Sequence, residues 1–220
     1  MIKSFRLTLA IVLLHIGCNT PDCQRQERDL YTIKGERLLT IEFNSSDTIL
    51  FYKDTVAQQP TKRLVFVRKQ AFADSYIVNL KQHLNSWLDP LALDTKLFMV
   101  HFEVLNAGNG WWQVCVSRST GALLWVKEQQ GITVDSWRDF LLARDRVQPV
   151  DERCYPFFTQ PDTQSHTVSS RKFGCMQVIG VDGNWLTIAY SPLACKYADS
   201  LDYLAYLRWR DDRGHLLLGF

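Results

Sequence analysis

From Leu38 onward, short apolar runs alternate with polar turns. LLTIEF, TILFY and RLVFV are rich in β-branched and aromatic residues and are separated by NSSD and AQQP, the texture of strands joined by turns. Residues 97–105, 111–117 and 122–127 continue the pattern, while LKQHLNSWL (80–88) predicts a short helix or irregular insertion ending before Asp89-Pro90. The period changes at DSWRDFLLAR (135–144). Trp137, Phe140, Leu141 and Arg144 fall on one helical face there, with Asp135 or Ser136 available as N-cap. VQPVDER (147–153) is the best domain boundary. Beyond it lie strands at YPFF, KFGCMQVIG, NWLTIAY and YLRW, with a last one at HLLLGF. The expected class is mostly β, with a first domain over 38–147 that carries short helices and a second over 150–220.

One segment recurs. FEVLNAGNGWWQVCVS (102–117) aligns without gaps on MQVIGVDGNWLTIAYS (176–191), and each copy reads as a hairpin. A five-residue turn over 106–110 would set Leu105 opposite Trp111, Val104 opposite Trp112, Phe102 opposite Val114 and Val100 opposite Val116. Because side chains alternate along a strand, the last three pairs make an inner face. Glu103/Gln113 and His101/Cys115 then point away from the core. In the second copy, Val178/Leu186 and Met176/Ile188 face in, and Ile179/Trp185 and Gln177/Thr187 face out. Trp112 is therefore expected in the core, and Trp111 and Trp185 on outer rims.

The N-terminus has a different character. Lys3 and Arg6 precede an apolar run, Leu7–Leu14, followed by His15, Ile16, Gly17 and Cys18. This is a secretory-signal layout, too short for a good membrane-spanning helix. Gly17-Cys18 looks like the end of a bacterial lipoprotein signal, with Cys18 as the lipidated residue, although His15 stands where such signals usually carry leucine. Residues 1–17 are thus expected to be removed and 18–37 to act as a polar tether to a membrane. The product would be exported, as a periplasmic or outer-membrane lipoprotein. Removing the signal leaves 23 basic and 23 acidic residues, with no global positive field for nucleic acid. Arg208, Arg210 and Arg213 cluster around Asp211 and Asp212 and read as a self-neutralising turn. With Cys18 lipidated, five cysteines remain (23, 115, 154, 175 and 195), so at least one thiol is free or paired between molecules. A disulfide among Cys154, Cys175 and Cys195 is one possibility.

The turn–Gly/Asp/Asn–Trp–strand pattern of both copies resembles bacterial SH3-like domains. PFFTQPDTQSHTV, CMQVIGVDGNWLTIAYS and AYLRWRDDRGHLLL together look like one whole module, with Ala205-Tyr206 where the family usually has Gly-Trp. Residues 38–145 resemble a decorated first module, marked by GWWQVCVS and LLWVKE. The YLRWRDDRGHLLL ending looks like a variant seen in lipoproteins of Bacteroides-type bacteria. The resemblance implies two small SH3-like β-barrels that bind cell-wall strands or peptides.

Motifs for phosphate, dinucleotide or zinc-hydrolase chemistry are absent, and neither a metal nor a cofactor is expected. The best internal nucleophile is Cys115 beside His101, which would make a thiol enzyme or redox protein, although no third residue orients the histidine. His83, His166 and His215 stand apart. The favoured expectation is non-catalytic: a binding or scaffold protein held at the envelope by a lipid anchor. An aromatic groove using Trp111, Trp185, Tyr190 and Tyr206 would take an extended peptide, a peptidoglycan fragment or an envelope protein. A purely architectural subunit is the remaining expectation, and exposure of Trp111 and Trp185 separates it from the groove.

Overall fold

A computed structural model describes residue 23 and residues 30–42, 48–68, 76–78, 87–94, 98–144, 147–191 and 203–219. The expected signal peptide, Cys18, His83, Cys195 and nearly all of the 80–88 insertion lie outside these residues. No helix among those described is long and apolar enough to cross a membrane.

The fold is mostly β. Nine strands form the first sheet: β1 (Arg37–Glu42), β2 (Thr48–Tyr52), β3 (Lys62–Arg68), β4 (Tyr76–Val78), β5 (Ala92–Asp94), β6 (Met99–Gly108), β7 (Trp111–Ser117), β8 (Ala122–Lys127) and β9 (Ile132–Ser136). Their order is β4-β3-β2-β8-β7-β6-β1-β9, with β5 paired to the first part of β6. One short helix, α1 (Trp137–Leu142), follows, capped by the Ser136 hydroxyl on the Asp139 amide. Then come β10 (Gln148–Pro149), β11 (Phe157–Phe158), β12 (Thr167–Val168), β13 (Cys175–Asp182), β14 (Trp185–Ser191), β15 (Tyr203–Arg208) and β16 (Leu218–Gly219). The second sheet is ordered β12-β11-β15-β14-β13, and β10 pairs with β16.

The two sheets share a topology. β6-β7-β8 and β13-β14-β15 are equivalent three-stranded meanders. In each, an earlier hairpin, β2-β3 or β11-β12, adds antiparallel to the outer edge of the third strand. Among the described residues both sheets are open and neither closes into a barrel.

The repeated hairpins differ from the expected register. Each has a two-residue turn, so Gly108 faces Trp111 and Asp182 faces Trp185. Asn109 and Gly110 both take positive φ (52° and 74°), as a type I′ turn requires, while Gly183 alone does so in the second copy. A bulge at Leu105, and its equivalent at Ile179, then shifts the ladder, giving Val104 opposite Val114 and Val178 opposite Ile188. Beyond the bulge the pairing is two residues away from the expected one. An even slip preserves which face each side chain takes. Val100, Phe102, Val104, Val114 and Val116 are accordingly buried, as are Val178, Leu186 and Ile188. Trp112 and Met176 pack half-buried at the edges of these cores.

Two apolar cores result. One lies on the inner face of the first sheet around Leu39, Ile41, Phe51, Phe102 and Val126. The other joins Leu38, on the opposite face of that sheet, to α1 and to the inner face of the second sheet. Trp137 and Phe140 of α1 meet Trp209 and His101 respectively, at ring separations of 5.5 and 4.9 Å. The boundary expected at 147–153 is built into the body, because Val147 is buried and the next two residues form β10.

Residues 30–36, expected to belong to a tether, are instead pinned to the fold. Thr32 bridges His215, the Ile33 amide donates to Gly214 O at 2.9 Å, and the Leu216 amide donates to Tyr31 O at 2.8 Å. Cys23 is disulfide-bonded to Cys154, 131 residues away. Cys175 is also disulfide-bonded, to a partner outside the described residues. Cys154 thus reaches back to the N-terminal segment rather than to its neighbours in the last third.

Candidate functional site

The outer faces of the two sheets carry the same constellation of side chains. Trp111 on β7 stands opposite Lys127 on β8, and Trp185 on β14 stands opposite Arg208 on β15. One pair further along, Gln113 opposes Trp125, and Thr187 opposes Tyr206. Across the next ladder, Trp125 meets Tyr52, and Tyr206 meets Phe158. The ring pairs match too. Tyr52 and Trp111 are 5.2 Å apart at 90°, and Phe158 and Trp185 are 5.6 Å apart at 81°, both in the favourable edge-to-face geometry.

Three of the four expected binding aromatics lie in these patches. Trp111, Trp185 and Tyr206 are half-buried, so each keeps part of its ring at the surface. The Lys127 ammonium sits 5.9 Å from the centroid of Trp111. Tyr190 is not part of a patch. Alternation along β14 turns it to the inner face with Ile188 and Leu186. There it is buried against Phe173, 4.1 Å away, and Tyr203, 5.5 Å away. Trp111 and Trp185 belong to different sheets, so the structure holds two patches rather than one shared groove.

Tyr52, Trp125, Lys127, Phe158 and Arg208 were not anticipated. A sequence signal for them exists: LLWVK (123–127) and LAYLR (204–208) both read Leu-x-aromatic-x-basic, and FY (51–52) corresponds to FF (157–158). The spacing between these strands and the main repeat differs in the two halves, which hides the correspondence from a gap-free comparison.

Beyond the patch in the first sheet, the outward-facing polar residues are covered by a further layer. His101, Glu103 and Cys115 are 2%, 1% and 5% exposed. The Glu103 carboxylate accepts hydrogen bonds from the amides of Lys34 (2.5 Å) and Gly35 (2.6 Å) through Oε1, and from the Tyr31 hydroxyl through Oε2. Burial, and then the Glu103 carboxylate, push the Tyr31 phenol far above its usual range and keep it a neutral donor. Gly35 crosses the strand so closely that a Cβ there would lie 2.0 Å from the Val104 carbonyl oxygen. The Trp137 indole N–H closes the arrangement on Gly35 O at 3.0 Å.

His101 and Cys115 do not form the expected cross-strand pair. The bulge carries Val104 to Val114, and the same ladder continued sets Glu103 beside Cys115. His101 instead meets Thr40 Oγ1 through Nδ1 at 2.9 Å and Arg144 through Nε2 at 2.8 Å. Arginine only donates, so Nε2 accepts and Nδ1–H donates to Thr40. Cys115 Sγ donates to Ser117 O at 3.3 Å and is a buried free thiol. It lines a crevice of about 590 Å³ with Tyr31, Lys34, Asp89 and Arg118. His215 is held by Asp211 at 2.8 Å, and Arg208 and Arg213 pair with Asp212 and Asp211 at 2.5 and 3.5 Å, so the C-terminal basic cluster is internally compensated.

Burial, and then Arg144, lower the His101 pKa to about 4. An unfolded histidine titrates near 6.5. Between these values the unfolded chain binds the extra proton, so stability falls as pH drops from about 6.5 to about 4 and is fully retained above that window. The loss at the acid end is expected to approach about 3 kcal/mol. Urea midpoints at pH 7.5 and 4.5 test this, and His101→Gln should flatten the difference.

No protein-family model matches the chain, and no curated protein matches it.

Proposed function

We propose that the protein is a non-catalytic binding or scaffold protein of the bacterial envelope. In this reading it is exported, held at the membrane by a lipid on Cys18, and built from two modules of the SH3-like kind. The observation that carries it is the duplication of one surface. Trp111, Trp125, Tyr52 and Lys127 recur as Trp185, Tyr206, Phe158 and Arg208 at the same registers, on faces turned away from each sheet's own core. Core packing alone does not require an aromatic, a second aromatic and a cation at matching outward positions in both copies. Flat rings beside hydrogen-bonding side chains suit extended ligands, which lose little conformational entropy on binding. The ligand class is an extended peptide or a peptidoglycan strand, with a protein of the envelope as the partner.

Truncating a central tryptophan of an interface commonly costs 2 kcal/mol or more. Trp111→Ala combined with Trp185→Ala is therefore expected to weaken co-sedimentation with purified peptidoglycan by about thirtyfold or more. Unchanged binding by the folded double variant, or no binding by the parent protein, would remove the reading for this ligand.

A further inference from the structure

We propose that the aromatic patch of the first sheet binds an acidic glycan, a polysaccharide with an anionic group on alternate sugars, and that Arg63 and Lys127 hold its charges. The inference rests on the reading above in taking the patches as binding surfaces, and it narrows the ligand of one of them.

The two patches match in their rings but not in their charge. In the first sheet a row of side chains crosses the outer face. Gly108 stands opposite Trp111, and Trp111 opposite Lys127. The β2–β8 ladder pairs Tyr52 with Trp125 and Phe51 with Val126; continued by one residue, it sets Leu50 beside Lys127, and Leu50 in turn faces Arg63. Residues directly opposite one another share a face, so Arg63 and Lys127 stand two strands apart, about 10 Å, with Leu50 between them and Trp111 beyond. Both cations are exposed, and no ion pair among the described residues involves either. The acidic residues nearest in sequence are engaged elsewhere: Asp54 accepts from the Val56 amide at 3.1 Å, and Glu128 lies against Gly110 of the turn.

The equivalent row of the second sheet reads Asp182, Trp185, Arg208. An acid replaces Gly108, and Arg208 is already paired with Asp212 at 2.5 Å. The β11–β12 ladder, continued by one residue, puts Ser169 where the first sheet has Arg63. One set of rings is thus flanked by two uncompensated cations and the other by none.

The remaining side chains of the first patch select sugars among anionic chains. Tyr52, Trp111 and Trp125 are half-buried and offer flat faces to the C–H faces of pyranose rings. Asn106 donates to Gln113 Oε1 at 2.6 Å, which leaves the Asn106 carbonyl and the Gln113 NH2 to meet hydroxyls. An acidic peptide matches the two cations but not the rings. A single-stranded nucleic acid matches rings and cations, but it carries a phosphate at every nucleotide and calls for a wider positive field than a chain with 23 basic and 23 acidic residues after signal removal provides.

The probe is a hyaluronan hexasaccharide, with a carboxylate on every second sugar, titrated into the full mature chain and followed by backbone amide NMR. Saturable shifts centred on residues 50–52, 111–113 and 125–127 are expected, with affinity falling as salt is raised. Arg63→Gln and Lys127→Gln, both at exposed positions, should each weaken binding about three- to fivefold, the scale of an exposed ion pair, and together about tenfold. Arg171→Gln, which removes the same charge from an exposed turn of the second module, should leave affinity unchanged. No binding at about 1 mM hexasaccharide, shifts confined to β11–β15, or parental affinity in the double variant would each overturn the proposal. Tighter binding of hexaglutamate or of an oligothymidylate would overturn the glycan assignment. Equal binding of neutral chitohexaose, lost in Trp111→Ala but indifferent to Arg63 and Lys127, would overturn the acidic specificity while leaving the aromatic patches standing as binding surfaces. Hyaluronan binding without any peptidoglycan binding would support the proposal and remove the cell-wall ligand.

Discussion

Replacing Cys154 by serine is expected to lower the stability of the folded chain by up to about 5 kcal/mol, the chain-entropy limit for a loop of this length. The Cys23–Cys154 bond closes a loop across a sequence separation of 131 residues, and cross-links spanning long loops restrict the unfolded chain most. In a chain of this size each kcal/mol moves Tm by about 2–4 °C, so a drop of up to about 10–20 °C is anticipated in thermal unfolding. Reductant should reproduce part of it in the parent protein and leave Cys154→Ser less affected. A change within about 2 °C would mean that the N-terminal segment is held without covalent help. The bond also has a consequence for the proposed anchor. It ties position 23 to the segment just before β11, so a pull on the N-terminus reaches the body through a covalent link before it can peel residues 30–36 from the first sheet.

Glu103→Ala is expected to cost about 3–5 kcal/mol. The substitution leaves the amides of Lys34 and Gly35 and the Tyr31 hydroxyl without their acceptor, and each unpaired buried polar group costs about 1–3 kcal/mol. Cavity formation adds to this. Glu103→Gln keeps an acceptor for the two amides and should lose less, and Tyr31→Phe, which removes a single hydrogen bond, should lose least. Hydrogen exchange gives the specific readout. The amides of residues 31–36 should lose protection in Glu103→Ala while those of β13–β15 stay protected. Uniform loss of protection would show that Glu103 supports the whole fold rather than the docking of one segment.

These two effects lie where the sequence was hardest to read. Residues 19–37 are polar and mixed in charge, the composition of a linker, and nothing local in them announces a binding partner. Cys23 and residues 30–36 are held by contacts made across 131 residues to Cys154 and 69 residues to Glu103. His101 and Cys115 illustrate the same limit. Their proximity was inferred from a five-residue turn. A two-residue turn and one bulge moved the ladder and gave His101 to Thr40 and Arg144. The faces nevertheless came out as alternation predicts, because the slip was even.

What the sequence determined by itself is the mostly β class, the helix at 137–142 with Asp135 or Ser136 as its cap, the duplicated hairpin, and which residues of each hairpin turn inward. All of these follow from side-chain period and turn chemistry, which act over a few residues. The tertiary structure alone decided that the sheets stay open among the described residues, that the polar face of the first is buried under residues 30–36 and α1, which cysteines pair, and that Trp125, Tyr52 and Phe158 join Trp111, Trp185 and Tyr206 in matching patches while Tyr190 does not. Those outcomes depend on which strands become neighbours and which faces are covered, and burial converts a solvated carboxylate or tyrosine into a fastening only once distant segments have met.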